Sequence, residues 1–262
     1  MGLKPKVDVI IPCHGHVGYV LRCVELMRSQ PRLGKIVLID DGSLKEENEA
    51  FNHIETVTVY RNEISQGFVA SCKRGVKKTD SKYFLLLNSD AFAGGKVLEY
   101  MASNLDEGFA VCGARLTFCA GSRYGIAGYT QHAGVGFNIN GLPYHPYMNL
   151  PGNEPCVMKW RSINAVTGAA MMIHRDVWER LGGFDNRFGR GVYEDVDFSL
   201  MTKKAGHEIA YEPLAHFDHL MHGSQPETGG FFEQHLHDQN LAYLYTKHGP
   251  IKCDDDLYYK SK

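Results

Sequence analysis

Apolar and polar positions along the first ninety residues fall into blocks of two kinds. Short, largely apolar runs, Val7-Asp-Val-Ile-Ile11, Lys35-Ile-Val-Leu-Ile39 and Tyr83-Phe-Leu-Leu-Leu87, read as strands covered on both faces. Thr56 to Tyr60, rich in β-branched residues, reads as another. Between them the period changes. Tyr19 to Gln30 carries Val20, Leu21, Val24 and Met27 on one helical stripe, Leu44 to Asn52 is a more polar helix, and Phe68 to Lys78 is a third. Strand–helix units of this length predict an α/β chain with a Rossmann-like, mostly parallel central sheet flanked by helices.

The pattern loosens after residue 108. Phe109 to Phe118 looks like a strand. Residues 120 to 155 are rich in Gly, Pro, Asn and Tyr and predict loops and short antiparallel strands that form the second half of a cleft. A strand at Ala169 to Ile173, a helix at Arg175 to Leu181 stopped by Gly182-Gly183, a helix at Tyr193 to Lys204, a strand at Glu208 to Tyr211 and a last helix over 229–248 follow.

Composition narrows the partners. With 44% hydrophobic residues the chain of 262 residues has material for a sizeable core, and a formal charge of -2, with acids and bases mixed along its length, speaks against nucleic acid as a partner. Seven scattered cysteines without a C-x-x-C pair predict buried free thiols in a reducing cytosol. No apolar run has the length of a bilayer span, and Met1 to Lys6 leads into a strand without the pattern of a signal peptide, so a cytoplasmic location without stable membrane insertion is expected.

The candidate chemistry sits where the apolar runs stop. Pro12-Cys13-His14-Gly15, Asp40-Asp41-Gly42-Ser43 and Asn88-Ser89-Asp90 each follow a strand, and open parallel sheets bind ligands at the carboxyl ends of their strands. Asn88 and Asp90, two residues apart, leave the strand on one side and offer oxygen to a hard divalent cation that also holds a diphosphate. Asp41 is suited to accept from a ring N–H of a base, with the backbone around Pro12 reading the base edge. An Asp-Gly turn with a cap at Ser43 accounts for Asp40 and Asp41 equally well, and His14 alone reads as a solvated loop residue. Glu194, Asp195 and Asp197 open a helix; they are either dipole caps or supply, in one of them, a general base facing the cleft. In His216-Phe-Asp-His219-Leu-Met-His222 one histidine is placed to add a nitrogen to the cation at Asp90; solvated or core-capping roles explain His216 and His222 as well.

Taken in order, these segments resemble the inverting glycosyltransferases of family 2, which have the GT-A fold, in their rhamnosyltransferase-like form. Val7–Pro12 is similar to that family's opening strand and Ile39-Asp-Asp-Gly-Ser43 to its second nucleotide-binding strand end. Gln66-Gly-Phe-Val-Ala-Ser-Cys-Lys-Arg-Gly75 is similar to its glycine-containing helix, with Gln66 and Arg74 departing from the pattern. Leu85-Leu-Leu-Asn-Ser-Asp90 stands where the D-x-D motif stands. Thr167 to Arg175, Leu181 to Asp185, Tyr193 to Asp197 and Lys247-His-Gly249 complete the series.

The resemblance implies one GT-A domain over residues 1–262, with a nucleotide-sugar-binding half (1–108) and an acceptor half (109–262) holding a smaller antiparallel sheet. It implies a metal-dependent, inverting transfer of a hexosyl or deoxyhexosyl group from a nucleotide-diphosphate sugar to an acceptor hydroxyl. The acceptor is a glycan, a lipid-linked sugar, a protein or another hydroxyl compound. In the implied roles, Pro12, His14, Asp41, Gly67, Asn88, Ser89 and Asp90 bind the donor, and Asp90 and His219 hold Mn²⁺ or Mg²⁺. Asp195 is the base and Glu194 shapes the acceptor site. Two other readings are a nucleotide-sugar- or carbohydrate-binding module with weak catalysis and a nucleotidyltransferase. The second lacks a basic loop at Cys13-His-Gly-His16 to hold a triphosphate.

Overall fold

A computed structural model describes residues 4–221 and 230–259 of the chain. Four parallel strands, β1 (Val7–Cys13), β2 (Leu33–Asp41), β3 (Val57–Asn62) and β4 (Tyr83–Leu87), form the first half. Helices α1 (Val17–Arg28), α2 (Lys45–Asn52) and α3 (Phe68–Val76) connect them. They lie in the order β4-β1-β2-β3, so the strand ends at Cys13, Asp41 and Leu87 stand side by side.

The chain continues with β5 (Ala91–Gly94), α4 (Val97–Asp106), β6 (Val111–Phe118), β7 (Thr130–His132), β8 (Gly136–Phe137), β9 (Pro143–Tyr144), β10 (Arg161–Ile163) and β11 (Ala170–His174). Then come α5 (Arg175–Leu181), α6 (Glu194–Lys204), β12 (Ile209–His219), α7 (Gly230–His248) and α8 (Asp255–Tyr259). The main sheet has ten strands along β10-β12-β6-β11-β4-β1-β2-β3, with β5 added on β12 and β7 on β6. β6 and β12 run parallel to the first four strands, while β5, β7, β10 and β11 run against them. Most second-half strands therefore extend the central sheet, and the separate antiparallel sheet is the β8–β9 ribbon alone.

Alternate residues of each strand feed two apolar layers. Val7, Val9 and Ile11 of β1 and Tyr83, Leu85 and Leu87 of β4 pack with Val20, Cys23, Val24 and Met27 of α1 and Val97, Leu98 and Met101 of α4. Ile10, Phe84 and Leu86 point the other way, onto Val69 and Cys72 of α3, Trp178 of α5, Phe198 of α6 and Leu244 of α7. Helices on both faces explain why these strands are apolar without alternation. Of the seven cysteines, Cys13, Cys23, Cys72, Cys112 and Cys119 are buried, Cys156 is half-buried and Cys253 exposed, and all are free.

One departure from the sequence expectations bears on the site. The strand expected at Glu208 to Tyr211 runs on to His219. Its register with β6 slips between Glu212 and His216, where Pro213 has no N–H for the ladder and the chain bulges. The last helix spans Gly230–His248 as the periodicity indicated. Lys247 donates to Asp185 and Asp197 (both 2.8 Å) and His248 donates through Nε2 to Asp197 (2.7 Å), which pins α7 to α6.

Candidate active site

β12 is parallel to β4, so its C-terminal end reaches the same sheet edge as Asn88 and Asp90. β5 completes the approach, because Ala91 pairs with His219 and the Leu220 N–H donates to the Asp90 carbonyl at 3.2 Å. The His219 Nε2 atom is then 3.1 Å from Asp90 Oδ1 and 3.2 Å from Asn88 Nδ2, with Asp90 and His219 both buried. Ser89, between them in sequence, is buried too. Successive strand residues face opposite sides, so His216 lies away from this corner. Its Nε2 meets the Thr117 hydroxyl at 2.7 Å, and that hydroxyl donates to Asp218 at 2.7 Å. His222 lies outside the described residues.

A carboxylate and an imidazole nitrogen converging at a sheet edge are donors of the kind that hard and borderline divalent cations accept, and the Asn88 amide meets the ring through its Nδ2. The residues fit such an ion in their chemistry, with most of its coordination left to a ligand or water. Among the described residues no group of three His, Cys, Asp or Glu is clustered as a metal site.

The neighbouring edge is built differently. The Asp41 carboxylate accepts four hydrogen bonds, from Asn62 Nδ2 (2.7 Å), the Ser65 hydroxyl (2.8 Å), the Gln66 N–H (2.9 Å) and the Gly67 N–H (2.8 Å). Burial pushes this carboxyl up, but the four donors outweigh it and hold it below the usual range. Asp40 is likewise engaged, by the Ser43 N–H (2.9 Å) and hydroxyl (2.5 Å), Asn48 (2.7 Å) and Arg61 (2.6 Å). His14 is exposed, with Nδ1 2.9 Å from the Asp41 carbonyl oxygen, and Pro12 is buried. Gly67 has φ +86°, and a side chain there would meet the Arg190 Cα at 2.6 Å. The absent side chain lets the loop before α6 close on α3, where the Phe68 N–H donates to the Arg190 carbonyl at 3.2 Å.

That loop delivers the acid pair. Gly189, Gly191, Val192 and Tyr193 all have positive φ, a costly run for Val and Tyr, and the Asn240 side chain secures it by donating to the carbonyls of Phe188, Gly191 and Val192. Asp195 accepts from the Gly168 N–H through Oδ2 and from the Val196 N–H through Oδ1, both at 2.7 Å. The next residue, Ala169, accepts the Asn88 N–H at 2.9 Å, so one short turn carries both the α6 carboxylate and the end of β4. Burial drives the Asp195 carboxyl up, against the Gly168 and Val196 amides, the adjacent His145 and the Thr167 hydroxyl, and the net shift is upward. Glu194 is raised well above the usual range by burial and by the charge of Asp195, and its Oε2 is buried without a hydrogen-bond partner among the described residues.

Three residues of the loosely patterned segment, Gln131, His132 and His145, join the site without a motif to announce them. Gln131 approaches His219 Nδ1 at 2.5 Å, and His132 Nδ1 lies 3.1 Å from His145 Nδ1. His132 Nε2 also accepts from the Thr167 N–H at 3.5 Å, so the histidine pair buttresses the turn under Asp195. The one signal was the surplus of histidines. A hollow of about 370 Å³ beside Trp160 lies apart from this corner, at α4 and the β12 bulge. The amide of Asn104 in its wall is engaged by Trp160 (2.8 Å) and Glu212 (3.0 Å), which marks it as a packing joint.

Comparison with known proteins follows the same lines. The family model described as Glycosyl transferase family 2 matches residues 8–181, which includes the three strand ends and stops short of Asp195 and His219. The uncharacterized protein y4gI of Sinorhizobium fredii is 27% identical over 228 residues, 82% of this chain and 24% of its own length. The chain thus spans about a quarter of that relative. Among solved structures, GalNAc-T7 with UDP, GalNAc and Mn²⁺ superposes with a TM-score of 0.68 at 16% identity, over 95% of this chain and 56% of the other. The mannosyltransferase PcManGT of Pyrobaculum calidifontis, in complex with GDP-Man and Mn²⁺, gives 0.63 at 14% identity, over 98% and 68%. At these identities the likeness establishes the shared GT-A fold. No helix among the described residues is long and apolar enough to cross a membrane.

Proposed function

The chain belongs to glycosyl transferase family 2, and from that premise we propose that it is a metal-dependent, inverting glycosyltransferase. A hexosyl or deoxyhexosyl group passes from a nucleotide-diphosphate donor to an acceptor hydroxyl of a glycan, a lipid-linked sugar, a protein or another compound. The observation that carries the reading is the meeting of Asp90, Asn88 and His219 at the edge that also holds the ends of β1 and β2. One turn ties this corner to Asp195. The whole chain acts as one domain, residues 1–108 taking the donor and 109–262 the acceptor, in the cytoplasm.

In this reading Pro12, His14, Asp41 and Gly67 line the base and ribose pocket. Asp41 shares its carboxylate between a base N–H and the loop it organises. Asn88, Ser89 and Asp90 face the diphosphate. Asp90 and His219 hold Mn²⁺ or Mg²⁺, which when bound supplies positive charge to the leaving diphosphate. Asp195 takes the proton of the acceptor hydroxyl. The acceptor oxygen bonds to the anomeric carbon as the bond from that carbon to the phosphate oxygen breaks, and the nucleoside diphosphate departs from the opposite face. The configuration inverts because a single displacement occurs. An upward-shifted carboxyl is a better proton acceptor for this task than an ordinary aspartate. Glu194, buried and raised, shapes the wall beside the acceptor.

A thermal-shift screen of UDP, GDP and their sugars, each with and without Mn²⁺, tests the proposal. One nucleotide is expected to raise the melting temperature strongly only when Mn²⁺ is present. No response to any nucleotide with the ion would overturn the donor and metal assignments together.

A further inference from the structure

The corner around His219 contains a residue that the reading above does not use. Gln131, on the three-residue strand β7, is buried and reaches the ring from the side opposite Asp90. Its amide makes two contacts with the same residue. Oε1 lies 2.5 Å from His219 Nδ1, and Nε2 lies 3.5 Å from the His219 carbonyl oxygen. A backbone carbonyl only accepts, so the amide nitrogen belongs on that side and the amide oxygen on the ring. An amide oxygen also only accepts, so Nδ1 carries a proton. A neutral His219 ring is thereby left with its lone pair on Nε2, the atom 3.1 Å from the Asp90 carboxylate.

We propose that Gln131 is a positioning residue that holds His219 in the tautomer whose Nε2 carries a lone pair, able to bind a divalent cation beside Asp90. The inference rests on the metal reading for its consequence but not for its geometry. That lone pair faces the Asp90 carboxylate at 3.1 Å and the Asn88 amide N–H at 3.2 Å, so without a cation it accepts from Asn88, and a cation bound beside Asp90 would take the place of that neutral donor. The other tautomer would put N–H on Nε2, donate to Asp90 and occupy the site with a hydrogen bond. Gln131 excludes it by facing Nδ1 with an acceptor. The second amide contact, to the His219 backbone carbonyl, fixes which end of the amide faces the ring and so where the ring proton sits.

Two measurements test this. The first is long-range ¹H–¹⁵N spectroscopy of the imidazoles in the metal-free protein at pH 8, with His219→Gln to assign the resonances. The expected spectrum has a proton on His219 Nδ1. A neutral ring protonated on Nε2 with a bare Nδ1 would overturn the proposal whatever the metal does. The second is Mn²⁺ titration, followed by the electron paramagnetic resonance of the free ion, in the presence of UDP and, separately, GDP. Gln131→Leu is expected to weaken Mn²⁺ binding about 10–100-fold, the usual cost of losing a residue that orients a metal-bound histidine. Gln131→Glu, which keeps the acceptor, is expected to bind within about threefold of wild type on the same scale. Equal affinity in wild type and a folded Gln131→Leu would contradict the proposal. A wild-type protein that binds no Mn²⁺ would instead sink the metal reading and leave the spectrum to decide the tautomer.

Discussion

Two carboxylate pairs at the same end of the sheet are treated in opposite ways. Asp40 and Asp41, at the end of β2, are surrounded by donors, and Asp41 is held in its ionised form by four of them. Glu194 and Asp195, at the start of α6, lie as close in sequence, yet burial raises both, and Glu194 Oε2 has no partner among the described residues. The contrast lies in how far donors offset burial. Four donors outweigh it at Asp41, whereas at Asp195 the Gly168 and Val196 N–H groups leave the net shift upward. A buried carboxyl left raised costs stability, and such groups cluster where a proton must move.

This comparison can be broken in several places. The largest effect is expected for Asp90→Ala. Losing the cation's protein carboxylate removes several kcal/mol of transition-state stabilisation, on the order of a thousandfold in rate, and abolishes the response to Mn²⁺. A steady-state assay of nucleoside diphosphate release checks it. Next is Asp41→Ala, which strands the Gln66 and Gly67 N–H groups and the Asn62 and Ser65 side chains at a buried position. About 3 kcal/mol of stability is expected to be lost in a urea melt, together with nucleotide affinity.

Glu194→Gln should move stability the other way. Its raised carboxyl means the native state favours the protonated form. The contribution of Glu194 to stability is therefore full below the unfolded value near 4.3 and is lost as pH rises through the raised folded value. A neutral amide escapes that loss, so the variant is expected to be more stable than wild type by on the order of 1 kcal/mol at pH 8 and equal to it at pH 4. Thermal melts at the two pH values decide it. Asp195 gives the kinetic counterpart. With its carboxyl raised, the base is protonated at a higher pH than a free aspartate near 3.9, so the acidic limb of kcat/KM should lie above that value. The smallest effect is reserved for His216→Ala. This residue faces away from Asp90, and Mn²⁺ affinity is expected to stay at the wild-type value with stability changed by no more than about 1 kcal/mol.

The donor edge was legible because its strands are buried on both faces and announce themselves as apolar runs that end in polar steps. β1, β2 and β4 were placed within a few residues, and so were Asp41 and Asp90 at their ends. Helix α4 lies outside the expected elements, although Val97, Leu98, Met101 and Leu105 repeat at helical spacing. The long course of β12 was hidden by Pro213, which reads as a strand breaker and turned out to mark a bulge. That β12 turns His216 and His219 to opposite faces was therefore hidden too. Gln131 and His132 carry no local signal at all. They are polar residues on a strand too short to show a period, and their importance lies in contacts with residues 88 and 35 positions away. The four bonds to Asp41 are long-range in the same way, and chain order alone does not reveal that a carboxylate is already engaged.

The central claim is that Asp195 removes the acceptor's proton at a cation-dependent donor site. The direct measurement is release of nucleoside diphosphate from a panel of UDP- and GDP-sugars with Mn²⁺, comparing wild type with Asp195→Asn and checking nucleotide binding of both by thermal shift. The expected result is an unchanged thermal shift and a rate at least about 100-fold lower in the variant. An Asp195→Asn protein that binds the nucleotide and turns over as fast as wild type would contradict the account.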